Sequence, residues 1–323
     1  MVRVSLQRMT RAERYANMAG VIVPFLGLIA AIVFLWNEWV DWIDLGILAG
    51  LYIIYGLGIT VGYHRLLTHR AFKTPKPVEY GFAITGSMAL QGGVLDWVAD
   101  HRKHHAHTDQ EGDPHSPHVG HGEGLKGLWH AHTGWLFETH GQADWKRYAK
   151  ELYEDPVMKK INRLFPLWAF LSLAVPTLLG WALHGFTLEG AIRGLIWGGL
   201  VRAFFLHHIT WSINSICHYY GRRRFDIEDQ STNVAWLAVP SFGEAWHHNH
   251  HAFPRSAAHG LKWYEIDISD LFIRGMEKVG LASNVVRIAP DRQAAKLVGA
   301  TPVKKPPAAP TEEQEEKKEP VAA

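Results

Sequence analysis

The chain has 323 residues, a formal net charge of only +2 and 21 histidines, against a single cysteine, Cys217. The charge balance argues against a nucleic-acid partner, and one cysteine excludes both a disulfide framework and a thiolate metal cage. Any metal bound here is held by nitrogen and oxygen.

A basic stretch, residues 1–19 with Arg3, Arg8, Arg11 and Arg14, precedes the first apolar run, "GVIVPFLGLIAAIVFLW" (20–36). The acidic, tryptophan-rich "NEWVDWID" joins it to the second, "GILAGLYIIYGLGITVGY" (46–63). Each is about the length that crosses roughly 30 Å of hydrocarbon, so a membrane hairpin is predicted over 20–63. Trp36, Trp39 and Trp42 fit an interfacial belt. The first run is too long for a signal peptide and lacks a small-residue cleavage pattern.

"HRLLTHR" gives His64 and His69, five apart. On an ideal α-helix that spacing turns them about 140° from each other. Either the helix ends between them or they reach different ions. They open a predicted cytosolic segment, 64–165. Within it "VEYGFAITGSMALQGGVLDWV" (78–98) reads as a re-entrant or surface-lying helix, not a span. "HRKHHAHTD" sets His101, His104 and His105 at i, i+3 and i+4, on one helical face. His107, His115, His118, His121, His130, His132 and His140 form a second rich zone, read as solvated loop residues.

A second hairpin is predicted over 166–209, from "PLWAFLSLAVPTLLGWAL" (166–183), a short "HGFT" and "LEGAIRGLIWGGLVRAFFL" (188–206). The last run carries Arg193 and Arg202, which must snorkel or face protein. His207 and His208 at its end are read as interface residues. Residues 210–300 form the second cytosolic segment. "NSICH" sets Asn214 and His218 at i and i+4, with Cys217 between them read as a small buried hydrophobe. "EAWHHNHHAFP" puts His247, His250 and His251 on one face and His248 on another. The proline- and charge-rich end, 301–323, has no aromatic residue and is predicted disordered.

The positive-inside rule places both termini and all long segments in the cytoplasm, which makes this a multi-pass integral membrane protein. Every histidine box falls on that side. The boxes and His218 hold too many imidazoles for one ion, since zinc takes three or four; two ions match the count. Iron, copper, nickel and zinc all suit such ligands, and only a redox-active pair would make a strong oxidant.

"HRLLTHR", "HRKHH" and "WHHNHH" closely resemble the three histidine boxes of the integral-membrane fatty acid desaturases. "NSICHYYG", "DPHS" and "GEAWHHNHHAFP" resemble the stearoyl-CoA and acyl-lipid Δ9 branch. The resemblance runs over about 58–263. It implies an all-α membrane fold, with four transmembrane helices in two hairpins beneath a cytosolic helical cap that holds a di-iron site. The implied iron ligands are His64, His69, His101, His104, His105, His218, His247, His250 and His251, with Asn214 acting through a water. The implied reaction uses O2 to remove two hydrogens between carbons 9 and 10 of a long saturated acyl chain. A separate donor, such as ferredoxin or a reductase, supplies electrons.

Metal-bound imidazoles donate their other nitrogen to carboxylates, which makes Asp100 and Glu244 candidates, and Asp109 a weaker one. Trp97, Thr210 and Trp211 stand beside ligands and are candidates to line an acyl tunnel. Animal acyl-CoA members carry an arginine where this chain has Ala99, and an Arg–Lys pair where it has Glu138, Thr139 and His140. The carrier is therefore left open among CoA, acyl carrier protein and membrane lipid. The nearest rival reading is a membrane di-iron hydroxylase of lipid or alkane. A metal transporter would set its ligands mid-span, where these runs have no histidine.

Overall fold

The computed structural model describes residues 9–36, 40–120 and 124–299. The side chain of Trp36, and Arg3, Arg8, Trp39, His121 and the tail from 301, lie outside the described residues. Among the described residues the chain is helical, with isolated β-bridges such as Arg222–Asn233 but no strand.

Helix α1 (Arg11–Trp36) is apolar around most of its circumference, and Phe25 and Ile32 are 50% and 57% exposed. A helix apolar on its outward face is built for hydrocarbon rather than water. Helix α2 (Trp42–Leu57) begins with a capping box: Asp41 accepts from the Ile43 and Asp44 amides, and Asp44 accepts from the Asp41 amide. It runs directly into a π-helical segment, Gly58–Thr68. Among the described residues, three helices are long and apolar enough to cross a membrane: Arg11–Leu35, Trp42–Thr68 and Phe165–Leu183.

The 78–98 run is not one element. It divides into α3 (Lys76–Ser87) and α4 (Val94–His107) at left-handed Leu90 (φ 65°) and Gly92 (φ 101°). Each piece is too short to span. Helix α3 lies against the π-helical segment at backbone contact. A Cβ on Gly58 would fall 2.6 Å from the Gly86 nitrogen, and one on Gly86 would meet the Tyr63 ring at 2.4 Å. Helix α5 (Leu125–His132) precedes α6 (Phe165–Leu183).

The fourth apolar run forms one helical rod in three parts. These are α7 (Leu188–Gly194), a π-helical stretch (Leu195–Val201) and α8 (Arg202–Ser215). Both of its arginines face protein. Arg193 pairs with Asp44 at 2.5 Å and Asp41 at 2.7 Å, which ties the second apolar pair to the first. Arg202 is fully buried, stacks 4.7 Å from the Tyr55 ring centroid and donates to Ser172 Oγ at 2.6 Å. Its Nε also reaches the Gly198 carbonyl within the π-helical stretch.

Helices α6 and α7 touch through glycines. A Cβ on Gly194 would sit 2.2 Å from the Pro176 carbonyl oxygen, which cannot move aside. Small residues permit such approach between apolar helices. Gly194→Val should therefore destabilise the protein by about 1–3 kcal/mol or more, read as a lower melting temperature in detergent. Gly20→Ala, with nothing near its Cβ, should be neutral.

Candidate metal centre

The π-helical segment resolves the five-residue spacing of the first box. Its bonds run i→i+5, and the His69 amide donates to the His64 carbonyl at 3.1 Å. The wider π-helix turns less per residue than an α-helix, so the offset over five residues is smaller than about 140°, and the two rings stand 4.9 Å apart. Neither sequence alternative holds: the helix does not end between them, and they join one cluster.

The second and third boxes are helical as expected, on α4 and on α9 (His247–Ala252). Each splits between two clusters. His64, His69, His101, His105 and His250 bring ring nitrogens together in the first; His104, His218, His247 and His251 do so in the second. His248 faces away and accepts the Phe225 amide at 2.8 Å. Because α4 and α9 each serve both clusters, the clusters adjoin: the His105 and His251 rings are 4.5 Å apart.

Carboxylates fix the tautomers. Nδ1 of His104 donates to Asp113 at 3.0 Å, that of His218 to Asp109 at 2.9 Å, and that of His251 to Asp229 at 2.9 Å. His64 Nδ1 donates to Glu244. These assignments leave Nε2 of each ring as a lone pair pointing inward. Yet His247 Nε2 lies 3.0 Å from both His218 Nε2 and His251 Nε2, and His250 Nε2 lies 3.2 Å from His64 Nε2 and 2.9 Å from His105 Nε2. One proton on His247 cannot serve two lone pairs. Nitrogens ~3 Å apart are what two ligands ~2.1 Å from one ion leave when they meet near a right angle. Nε2 of His69 and of His104 are buried with no hydrogen-bond partner. The donor set fits one metal ion per cluster.

Titration keeps the rings available. Burial, and then the neighbouring imidazoles, hold His101, His105, His247, His250 and His251 well below the ordinary histidine pKa, so they stay neutral as ligands must. His218 moves the other way, since Asp109 outweighs burial. Burial would raise Asp109, but His218 and Ser116 push it down to about 2. Burial would likewise raise Glu244, whose carboxyl His64 and Arg65 hold below the usual range.

Asn214, Trp97 and Thr210 line an apolar cleft together with Ile59, Leu206 and Ile213. His64 and His101 of the first cluster and His247 of the second form part of its wall. Trp97 stacks on His101 at 5.0 Å, and Gln91 donates to Thr210 Oγ1 at 2.9 Å. Trp211 is a correction: one residue past Thr210 it faces another side of α8, 5.1 Å from His207. Asp100 is another. It faces away from the rings and accepts the Gly141 and Ala143 amides at 2.6 and 3.2 Å. His115 is buried rather than solvated, stacked 4.3 Å from His104. His207 and His208 join neither cluster. Three residues escaped the sequence reading: Asp113, Asp229 and His259. Asp113 sat within the quoted "DPHS"; the other two have no local signal.

Membrane-length helices, buried imidazoles gathered in two adjoining clusters and an apolar cleft bordered by both make up a membrane oxidoreductase of the histidine-cluster kind. The fatty acid desaturase family model matches residues 37–268, and the chain belongs to that family. It is 46% identical over 269 residues to a hex-5-enoyl-[acyl-carrier protein] acetylenase of Moorena producens (strain JHB), covering 82% of this chain and 83% of that one. It is 41% identical to an sn-1 stearoyl-lipid 9-desaturase of Anabaena variabilis, over 76% of this chain and 85% of the relative. To the Delta-9 acyl-lipid desaturase 1 of Arabidopsis thaliana it is 42% identical, over 83% and 81%.

Proposed function

We propose that this desaturase inserts a cis double bond at carbon 9 of a long saturated acyl group. The observation that carries the reading is the cleft: one apolar groove touches both histidine clusters, so a methylene pair lying in it faces both. The relatives named above are desaturases and an acetylenase, which disfavours the hydroxylase reading.

His64, His69, His101, His105 and His250 would hold one iron, and His104, His218, His247 and His251, with Asn214 beside them, the other. Two irons there would supply the activation of O2 that an unreactive methylene pair demands. The protein's own residues do the rest. Asp109, Asp113, Asp229 and Glu244 keep the inward nitrogens unprotonated. Ile59, Leu206 and Ile213 exclude water from the chain, and Trp97 and Thr210 bound its path beside the rings. Two hydrogens leave the chain, and O2 with two electrons and two protons ends as two waters. A separate ferredoxin or reductase delivers the electrons.

An acyl-lipid carrier is favoured over acyl-CoA. Ala99, fully buried, and acidic Glu138 stand where animal acyl-CoA members carry cations for the CoA headgroup. The rod 188–215 acts as a fourth span, and both termini with the segments 64–165 and 210–300 face the cytoplasm, as the flanking arginines direct. Expression in a host poor in unsaturated lipid tests the proposal. Gas chromatography with mass spectrometry should find new cis-9 monounsaturated chains in membrane lipid. Hydroxylated chains would overturn it.

A further inference from the structure

His259 is buried to 1% exposure, and neither of its ring nitrogens has a hydrogen-bond partner. A buried imidazole with two unmet polar atoms is destabilising unless the position does something. Its backbone is held with unusual care. The His259 amide donates to Asp267 at 2.7 Å, and its carbonyl accepts from Asn249 at 2.9 Å. Arg65 binds the same loop, donating to the Ala257 carbonyl at 2.6 Å and to Asp267 at 3.1 Å. That guanidinium also grips Glu244 at 3.0 Å. One buried arginine thus fixes His259 relative to the carboxylate that orients His64.

The ring stands against the first cluster. Its centroid is 4.4 Å from that of His250 and 5.3 Å from that of His64, and its Nδ1 lies 3.7 Å from Glu244 Oε1. His64 Nδ1 and the Arg65 Nε and Nη2 already donate to Glu244, whereas His259 Nδ1, facing the same carboxylate, has no hydrogen-bond partner. It is not among the five nitrogens of the first cluster, and instead gathers with His64 and Glu244 beside it.

We propose that His259 is a positioning residue of the first cluster: its ring face sets the plane of His250, and its Nδ1–H, beyond hydrogen-bond reach, turns its dipole toward Glu244. The inference rests on the iron-binding reading above. Because it acts through Glu244 and His250, its loss should weaken metal retention without removing a ligand.

The test compares iron release to a ferrous chelator from purified wild type, His259→Leu and His259→Gln, alongside melting of the metal-free proteins and Mössbauer spectra. In His259→Leu one of the two irons should leave about 10- to 100-fold faster, with one iron signal altered and the other intact. In His259→Gln, which keeps an N–H donor, release should return toward wild type. A packing role would produce the opposite order, because leucine fills the space and glutamine brings an unmet amide. Equal release from wild type and His259→Leu, or equally fast release from both variants, overturns the proposal. Should His259→Leu fail to fold, His259→Met takes its place with the same criteria. Wild type that binds no iron overturns the underlying reading as well, whereas an unaffected leucine variant of an iron-loaded enzyme overturns only the role of His259.

Discussion

On the proposed two-iron reading, His250→Ala protein should bind one iron where wild type should bind two, and its desaturation should fall by at least ~100-fold, toward background. His250 is fully buried, and its Nε2 is the nitrogen that meets both His64 and His105 across the first cluster. It is the sole member of the third box in that cluster, so its removal disconnects α9 from the ring set that α4 and the π-helical segment supply. Elemental analysis of purified protein and product analysis of lipids read the two effects separately. His248→Ala is the matched control. It removes a neighbouring imidazole whose Nε2 accepts the Phe225 amide, so stability should drop by about 1–3 kcal/mol with both irons retained. Full iron content in His250→Ala would refute the assignment of the first cluster.

What could be read from the residues alone was whatever lies within a helical turn. The i, i+3, i+4 triplets of the second and third boxes were visible because α-helical spacing is local, and so was the divergence of His248. His64 and His69 were named as ligands, but how they meet was hidden for the converse reason: hydropathy does not reveal i→i+5 bonding, and the π-helical register brings them together. The partners of the rings were mostly hidden. Asp229 reaches His251 across 22 residues, and Asp109, named only as a weaker candidate and without its ring, reaches His218 across 109, distances over which spacing carries no information. Arg193 and Arg202 were open between snorkelling and facing protein. Their partners, Asp44, Tyr55 and Ser172, come from other helices.

Glu244→Gln should lower iron affinity in the first cluster by about 10- to 100-fold and cut activity in step. The carboxylate faces donors on both sides, His64 Nδ1 at one oxygen and the Arg65 guanidinium, at 3.0 and 3.2 Å, at the other. An amide must turn its NH2 toward one of them. If it faces His64, the imidazole is driven to the other tautomer, and the proton on Nε2 blocks the lone pair a metal needs. If it faces Arg65, a fully buried cation loses a partner. Removing one partner of a buried pair costs about 3–5 kcal/mol when the charge is left alone. The loss here should be smaller, because Asp267 remains 2.9 Å from Arg65. Melting of the metal-free variant measures that structural part, and iron titration measures the tautomer. The pH dependence has a definite sign. Glu244 is held below its ordinary value, so its contribution is complete above pH ~4.3 and is lost only as pH falls through the lowered folded pKa. The glutamine variant should therefore lose less stability than wild type on acidification below that point. Unchanged iron affinity in Glu244→Gln would show that His64 keeps its inward lone pair without the carboxylate.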